Sequence, residues 1–289
     1  MTLGALLAAT VAIACSSPYS ASDDGVAAPN TSGERRNDAG VLEGEEAGSS
    51  TQNEGGPGGT GEAGSASTAD LYRAAVLADG PHAYWRLNET TGLVASDLGP
   101  TKLDAAYQGA CTQGVPGPFP NSTAIELAGA CEVRAPSIDF AQQAPFTLEI
   151  WAKPRAIGTS HRRLFGHGVA DAQGYQHIGL YFRDPVGTVF ERSIDNQIVE
   201  AKGPLPTLGS FVHVVAVYSG VMLTLYVNGA PVATGADARS QVAKSTPFWI
   251  GSNGDENFFD GTLAEAAVYA KALSATQIAN HYAVGTKNQ

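Results

Sequence analysis

Residues 211 to 229 read FVHVVAVYSGVMLTLYVNG, and this stretch decides the fold. Two apolar runs of strand length meet at Ser219-Gly220, and a second turn signal, Asn228-Gly229, follows at once. A two-residue turn between runs rich in β-branched and aromatic residues is a strong local signal for a β-hairpin. The stretch therefore predicts two antiparallel strands joined by a tight turn.

The first run of this hairpin is apolar on both of its faces. Phe211, Val215 and Val217 would lie on one face of the strand, and Val212, Val214 and Tyr218 on the other. A strand that is apolar on both faces is covered on both faces, or is central in a layered sheet. We therefore predict that the hairpin lies in the core of a two-sheet β-sandwich.

Composition and charge narrow the class of protein. The chain has 289 residues, a net charge of −11, 34 glycines and 16 prolines. This length accommodates one large β domain and a tail. The many turn residues and the few charged ones favour an all-β fold over a helical one. The acidic balance argues against nucleic acid as a partner, because a basic patch is the footprint of nucleic-acid binding.

The rest of the chain continues the strand pattern. Turn signals separate about a dozen short apolar segments between Ala83 and Tyr269, which is the spacing of a sandwich or jelly roll. A short helix is predicted over residues 71–77. Another is predicted to close the chain, where Ser274 and Gln277 have the spacing of a capping box.

The N-terminal part of the chain predicts export. Residues 1–14 have the pattern of a signal peptide, because their apolar run is too short to span a bilayer and an A-x-A signal precedes Cys15. The same residues resemble a bacterial lipobox, so Cys15 is a candidate for lipidation. The alternative is ordinary secretion with a free Cys15 thiol. Membrane contact is expected only through this anchor, on an exported protein of the cell envelope or a secreted one.

The predicted domain boundaries follow from composition. Residues 15–69 are acidic and rich in Gly and Ser, so they are predicted to form a disordered linker. Residues 70–289 are predicted to form the folded domain, which ends in the short helix.

The three cysteines are divided between these two parts. Cys111 and Cys131 lie 20 residues apart in the folded region, and Cys15 has no partner. In an oxidising compartment a Cys111–Cys131 disulfide is expected, and closing a loop of this size contributes roughly 3 kcal/mol. Two reduced thiols are the alternative. An odd cysteine in an exported protein needs an explanation, which lipidation of Cys15 would supply.

Four separated segments carry a family resemblance. They are Gly80 to Glu89, Phe146 to Pro154, Phe211 to Gly229 and Phe258 to Ser274. In order and spacing they resemble the opening strand, the FTVEAWVKP strand, the WHHVA…LYVDG hairpin and the FDGTIDEVAIYNRALS segment of LamG-like jelly-roll domains. These domains are part of the concanavalin A-like lectin/glucanase superfamily. The resemblance implies an all-β, two-sheet antiparallel jelly-roll sandwich.

The resemblance leaves the ligand open, because this fold carries lectins, enzymes and adhesion modules. Our first expectation is an exported, non-catalytic module that binds carbohydrate or a cell-surface protein. One alternative is a polysaccharide-active enzyme of the same superfamily, marked by two acids, or by Tyr, His and Arg, facing one cleft. Another is a structural envelope protein that self-associates. The chain has no Walker loop, CxxC pair or G-x-S-x-G elbow, so no catalytic residue is assigned.

Candidate ligand contacts are residues whose type suits sugar binding. In glucanases of this architecture, acids on one strand are catalytic, and retaining hydrolysis needs two carboxyls about 5 Å apart. Glu149 shares a strand face with Trp151 but no second acid follows, so Glu149 is expected to be structural or to contact sugar. Tyr175 and Phe258 lie near predicted turns, where aromatic rings suit sugar stacking or protein contact.

These patterns require no cofactor, but the resemblance implies that a structural calcium ion can be present. Asp97, Asp260 and Glu265 lie near predicted turns and offer the oxygen ligands that calcium takes. The alternative is that they are solvated loop acids. Ala264 stands where the family pattern has Asp, which counts against the site. The three histidines between residues 161 and 177 are spaced irregularly, so we expect polar loop residues rather than metal ligands.

Overall fold

The computed structural model describes residues 66–171, 174–242, 245–254 and 256–287. Within these ranges the chain forms sixteen β-strands and two α-helices. The strands are β1 Ala83–Trp85, β2 Val94–Ala95, β3 Ala105–Gln108, β4 Thr112–Pro116, β5 Thr123–Leu127, β6 Glu132–Ala135, β7 Phe146–Pro154, β8 Arg162–Asp171, β9 Gly174–Arg183, β10 Gly187–Ile194, β11 Gln197–Gly203, β12 Val212–Tyr218, β13 Met222–Val227, β14 Ala230–Ala236, β15 Phe248–Ile250 and β16 Gly261–Tyr269. The helices are α1 Thr68–Ala78 and α2 Ala275–Gly285.

The strands form two antiparallel sheets of eight strands each. Sheet A has the order β14-β13-β12-β7-β16-β5-β4, with β1 paired to β16. Sheet B has the order β11-β10-β9-β8-β15-β6-β3-β2. The two-sheet antiparallel sandwich predicted from the sequence is therefore confirmed.

The hairpin of residues 211–229 lies in sheet A, where β12 pairs with β13 on one side and β7 on the other. Val212 and Val214 face the core between the two sheets. Val215 and Val217 face a second apolar cluster on the outer side of sheet A. The predicted burial of both faces of this strand is confirmed.

Helices α1 and α2 cover the outer face of sheet A. Tyr72 and Val76 of α1 and Ile278 of α2 are fully buried in the outer apolar cluster. Ser274 accepts the amide of Gln277, and the side-chain oxygen of Gln277 accepts the amide of Ser274, so the predicted capping box is confirmed. Within the described ranges, neither helix combines the length and the hydrophobicity of a membrane span.

The outer face of sheet B carries a row of residues that crosses all eight strands. Neighbouring members lie directly opposite each other in the strand register. From β2 to β11 the row is Val94, Ala106, Arg134, Trp249, Gly166, Gly179, Glu191 and Glu200. The residues next to them in the chain, such as Val133, Ile250 and Phe190, are buried in the core. Because successive strand side chains alternate between faces, this sheet B row points outward.

A disulfide joins the two sheets. Cys111 precedes β4 at the edge of sheet A, and Cys131 precedes β6 in sheet B. Their sulfur atoms are bonded at 2.02 Å, with the Cα atoms 5.2 Å apart. The disulfide expected from the sequence is confirmed, and it ties the edge of one sheet to a strand of the other.

Candidate functional site

Glu149, the predicted sugar contact, lies at the centre of a buried polar cluster between sheet A and the helices. Its side chain is 0% exposed. It accepts hydrogen bonds from the hydroxyls of Tyr72 on α1 at 2.8 Å and Tyr269 on β16 at 3.0 Å. His213 on β12 and His281 on α2 place ring nitrogens 2.8 and 3.0 Å from the carboxylate. In this Glu149 cluster, one carboxylate on β7 joins four further elements of the fold.

Opposing effects set the protonation of the Glu149 cluster. Burial by itself would raise the pKa of Glu149, but the rings of His281 and His213 hold that pKa well below its usual range. Burial lowers the pKa of His281, but the carboxylates of Glu149 and Asp79 outweigh it, so the pKa is raised. His281 Nδ1 faces Glu149, and Nε2 lies 3.0 Å from Asp79. The cluster therefore favours a charged Glu149–His281 pair in the interior.

Trp151, the second predicted contact, is covered in the same way. Its side chain is 1% exposed. Its ring centroid lies 5.0 Å from that of His213 and 6.0 Å from that of Tyr282, which stacks on it. A Cβ atom added to Gly285 of α2 would lie 2.7 Å from Trp151 Cζ2. Glu149 and Trp151 thus pack beneath the helices, and a ligand could reach them only if the helices moved away.

The three predicted calcium ligands bind different protein donors. Asp97 accepts three backbone amides at 2.7 to 2.8 Å. Glu265 forms a salt bridge to Arg86 at 3.0 Å, and Asp260 forms one to Arg155 at 2.6 Å. The described residues contain no group of three or more His, Cys, Asp or Glu side chains that could hold a metal ion. Each of the three carboxylates is thus held by its own protein donors, and a structural calcium ion stays a prediction.

The side chains of two further predicted residues lie outside the described part of the structure. Tyr175 belongs to β9, where its backbone pairs with Ala170, but its side chain lies outside the described part. Cys15 lies outside the described residues altogether. Stacking by Tyr175 and lipidation of Cys15 stay predictions.

Phe258, the remaining predicted contact, lines a surface cavity beside the start of β8. The cavity has a volume of about 510 Å³. It is lined by Gly129, Ser160, Arg162, Glu256, Asn257, Phe258, Phe259 and Asp260. This size is in the range of small-ligand pockets, and the lining combines a half-buried aromatic ring with charged, amide and hydroxyl groups. We call it the Phe258 cavity.

Two hydrogen bonds fix the loop that carries Phe258. The guanidinium of Arg162 donates to the Phe258 carbonyl at 3.0 Å. The amide of Arg163 donates to the Asn257 carbonyl at 3.1 Å. Both bonds tie the loop to the first residues of β8, so the Phe258 ring is presented by an anchored backbone. A site held on a rigid support loses less entropy when it binds a ligand.

A polar cluster on the outer face of sheet B was not predicted from the sequence. The Tyr181 hydroxyl lies 2.8 Å from a carboxylate oxygen of Glu191 and 3.1 Å from one of Glu200. The Arg163 guanidinium lies over the Tyr181 ring at 4.6 Å, and His177 Nε2 lies 3.5 Å from Glu191. Because both carboxylates approach one hydroxyl, these two oxygens are no more than about 6 Å apart. We call these five residues the Tyr181 cluster.

Burial sets the protonation of the Tyr181 cluster. It raises the pKa of Glu191; the nearby charge of Glu200 adds to this rise, and that of Arg163 opposes it. Burial also lowers the pKa of His177 well below its usual range, with the Arg163 charge acting in the same direction. The cluster therefore combines a carboxyl that holds its proton more readily than usual with a neutral imidazole.

The expectation that the three histidines are loop residues is wrong for two of them. His167 lies in β8 and His177 in β9, and each is only 1% exposed. Buried polar side chains are tolerated in strands where they have partners. His167 Nδ1 lies 3.4 Å from the Pro247 carbonyl, and His177 approaches Glu191.

Comparison with known proteins supports the fold. A sequence model described as the concanavalin A-like lectin/glucanases superfamily matches residues 128–279, which is just over half of the chain. No match was found among curated protein sequences.

Three solved structures illustrate the range of similar folds. Domain 4 of AbnA, a GH43 extracellular arabinanase from Geobacillus stearothermophilus solved in complex with arabinotriose, has a TM-score of 0.55 and 18% identity, covering 70% of this chain and 98% of that one. The binding domain of Paraclostridial Mosquitocidal Protein 1 has a TM-score of 0.56 and 17% identity, covering 71% of this chain and 52% of that one. Trypanosoma rangeli sialidase in complex with 2,3-difluorosialic acid has a TM-score of 0.55 and 16% identity, and the match covers 73% of this chain and 33% of the sialidase. This chain thus spans about half of the toxin domain and a third of the sialidase.

Proposed function

Because the chain belongs to the concanavalin A-like lectin/glucanases superfamily, we propose that it is a non-catalytic module that binds carbohydrate in the Phe258 cavity. The fold and its neighbours support either a binding module or a glycosidase-like domain. The observation that carries the proposal is the cavity, whose lining contains Phe258 together with Arg162 and Asn257. Such a site offers an aromatic face to the apolar side of a sugar and planar polar groups to its hydroxyls.

One further observation supports carbohydrate as the ligand class, and another favours this cavity. The arabinanase domain of similar fold was solved with arabinotriose, a short oligosaccharide. Another cavity, of about 430 Å³ beside Lys153 and Arg155, is less suited to sugar. Its lining contains no aromatic ring, and Arg155 is already held by Glu126 and Asp260 at 2.6 Å each.

A glycan array probed with the full chain tests the proposal. We expect binding to a defined set of glycans, and we expect Phe258→Ala to weaken it at least tenfold, which corresponds to about 1.4 kcal/mol. Val221→Ala is the matched control, because it shortens an exposed side chain in the β12–β13 turn, and it should bind as the wild type does. Binding should be equal in calcium and in EDTA, because Asp97, Asp260 and Glu265 already have protein partners. Failure to bind any glycan in either condition would refute the proposal.

The proposal includes export and an N-terminal anchor, which place the module at the cell envelope, where a glycan or a cell-surface protein would be the partner. The signal-peptide pattern of residues 1–14 and the lipobox-like residues before Cys15 support it. Labelled palmitate should enter the wild type and not Cys15→Ser in cells that produce the protein. Unlabelled wild-type protein would rule out the lipid.

A second candidate function, polysaccharide hydrolysis or cleavage, is favoured by one observation. The Tyr181 cluster brings together the two acids and the Tyr, His and Arg groups that would mark an enzyme. Two of its carboxylate oxygens are no more than about 6 Å apart, an upper limit that includes the spacing of about 5 Å in retaining glycosidases. Against it, Tyr181 and Glu191 are only 1% and 5% exposed.

Product analysis separates the two candidates. Under our proposal the full chain releases no new reducing or unsaturated ends from any glycan that it binds. If the wild type releases such ends, and this release is lost in Glu191→Gln but kept in the control Glu126→Gln, the protein is an enzyme and the binding-module proposal is refuted. Glu126 suits this control because its partly exposed side chain pairs with Arg155 in sheet A, away from the Tyr181 cluster.

A further inference from the structure

Arg134 and Trp249 form a pair on the outer face of sheet B that neither the Phe258 cavity nor the Tyr181 cluster includes. They lie directly opposite each other on β6 and β15. Both point outward, because Val133 and Ala135 on one strand and Phe248 and Ile250 on the other are buried in the core. Side chains in such a cross-strand pair start about 5 Å apart, so one small molecule can touch both.

Arg134 has a charge that no other described group balances. Its side chain is exposed, and no carboxylate in the described part of the chain lies within salt-bridge distance of it. Nor does its guanidinium hydrogen-bond to any described group. Its opposite neighbour on the other side is Ala106 on β3, which is too short to cover it. A guanidinium in this state can present two parallel N–H donors to an anionic group.

Trp249 supplies the complementary surface. It is half-buried, with Gly254 beside its ring, where an added Cβ would lie 3.6 Å from Cε2 and Cζ2. Its indole N–H makes no hydrogen bond to another described group, and it is not among the fully buried unpaired atoms. Gly254 has no side chain to cover this edge of the ring, and the indole donor is not used by another described group. An aromatic ring with a free donor suits a ligand that is apolar on one face and polar at its rim.

A surface cavity of about 490 Å³ adjoins Arg134, whose opposite neighbour in the strand register is Trp249. Arg134 lines it together with Ala106, Pro136 and Pro247, which are small or rigid side chains that leave the guanidinium accessible. Asp104 also lines the cavity, but its carboxylate accepts the amide of Asp97 at 2.8 Å. The space is therefore large enough for a sugar ring beside Arg134.

We propose that Arg134 and Trp249 form a second subsite, which binds an anionic sugar residue. The anionic oxygens of the sugar, whether carboxylate or sulfate, would pair with the Arg134 guanidinium, and the sugar ring would stack on Trp249. This inference rests on the proposed function for its ligand class, carbohydrate, but on separate residues. An acidic chain with net charge −11 repels anions at long range. At 0.15 M salt the Debye length is about 8 Å, so the local cation decides binding.

Three galactose-based probes test the subsite with the full chain at 0.15 M salt. They are oligogalacturonate, a sulfated galactan oligosaccharide and an unsubstituted galactan oligosaccharide. We expect the wild type to bind at least one anionic probe more tightly than the neutral one. Arg134→Gln should lower the affinity for that anionic probe at least tenfold and leave the affinity for the neutral probe unchanged. Arg134→Lys should keep only part of the wild-type affinity for the anionic probe. The anionic probe that responds identifies carboxylate or sulfate.

Matched controls separate this subsite from the Phe258 cavity. Arg73→Gln removes an exposed cation on α1, on the sheet A side, and should change nothing. Trp249→Phe keeps an aromatic ring but loses the N–H, so binding of the anionic probe should weaken less than in Arg134→Gln. Equal binding of all three probes, or an unchanged Arg134→Gln variant, would overturn the inference. If the neutral probe binds the wild type and Phe258→Ala abolishes that binding, the proposed function stands even though the second subsite is refuted. If no probe and no array glycan binds, the second subsite and the proposed function are both refuted.

Discussion

The Glu149→Gln substitution removes one negative charge from the Glu149 cluster while keeping the shape of the side chain. One carboxylate oxygen, Oε1, lies within hydrogen-bond distance of Tyr72, His213 and His281. The other, Oε2, is reached by Tyr269 at 3.0 Å and by His281 at 3.1 Å. An amide keeps only one acceptor oxygen, so donors on the second side lose their acceptor.

The size of the loss follows from this arrangement. Hydrogen bonds to a charged group contribute about 1.5 to 3 kcal/mol each, and breaking one partner of a buried pair costs about 3 to 5 kcal/mol. We therefore expect Glu149→Gln to lower the free energy of unfolding by about 3 to 5 kcal/mol. This loss multiplies the unfolded-to-folded ratio by roughly a hundred to several thousand.

Urea unfolding at pH 6, followed by tryptophan fluorescence and far-UV circular dichroism, measures this loss. Glu126→Gln is the matched control, because Glu126 pairs with Arg155 where both side chains are more than a third exposed. Such a surface pair contributes at most about 1 kcal/mol. If Glu149→Gln does not fold, Tyr269→Phe removes a single hydrogen bond to the same carboxylate and should cost about 1.5 to 3 kcal/mol. A Glu149→Gln loss no larger than that of the control would refute the structural role of Glu149.

Two other predictions concern the same fold. The lowered pKa of Glu149 stabilises the fold above about pH 4.3, the unfolded-state pKa, and this stability is lost as pH falls below that value. The raised pKa of His281 stabilises the fold fully below about pH 6.5, and this stability is lost as pH rises from there through the raised pKa of the folded state. The urea midpoint should therefore be highest between these values, and its alkaline decline should be smaller in His281→Gln; equal declines would contradict the pairing. Gly179→Ala places a methyl group 1.8 Å from Arg163 Nη1 and should cost about 1 to 3 kcal/mol in the same unfolding assay. The control Gly158→Ala, whose nearest contact would be 3.6 Å, should be nearly neutral.

The core hairpin could be predicted because local signals and the tertiary environment agree there. The turn at Ser219-Gly220 and the two apolar faces of β12 both appear in the sequence, and the structure buries both faces. Agreement between local pattern and global fold is what makes such a segment predictable.

The β10–β11 hairpin has only a weak strand pattern in the sequence, because polar residues interrupt a first strand that is buried on both faces. All eight residues of β10 are buried, although Glu191, Arg192 and Ser193 stand in the middle of it. A search for apolar alternation passes over such a strand. The signal that could have found it is the turn at Asp195-Asn196, where both residues have positive φ, because Asp and Asn are the residues that tolerate this conformation.

The site could be predicted only where loop position decides exposure. Phe258 was placed beside a turn and does line a cavity. Glu149 was expected to be structural or to contact sugar, and Trp151 was a candidate ligand contact; both lie on the face of sheet A that the two helices cover. The sequence shows two terminal helices, but their packing onto that face depends on long-range contacts such as Tyr72 with Glu149, 77 residues apart. The spacing of apolar residues along the sequence does not predict a contact between residues so far apart.

The packing of α1 against α2 has a consequence for how this domain can be joined to others. Asp79 at the end of α1 pairs with His281 and Gln277 of α2, so the first and last elements of the domain lie side by side. They do so over sheet A, whereas the sheet B row lies on the opposite side of the sandwich. A domain whose ends are close together can be inserted into a loop of another protein or circularly permuted. Such an insertion would attach the domain by one face and leave the Arg134–Trp249 pair and the Tyr181 cluster on the face turned away from the carrier.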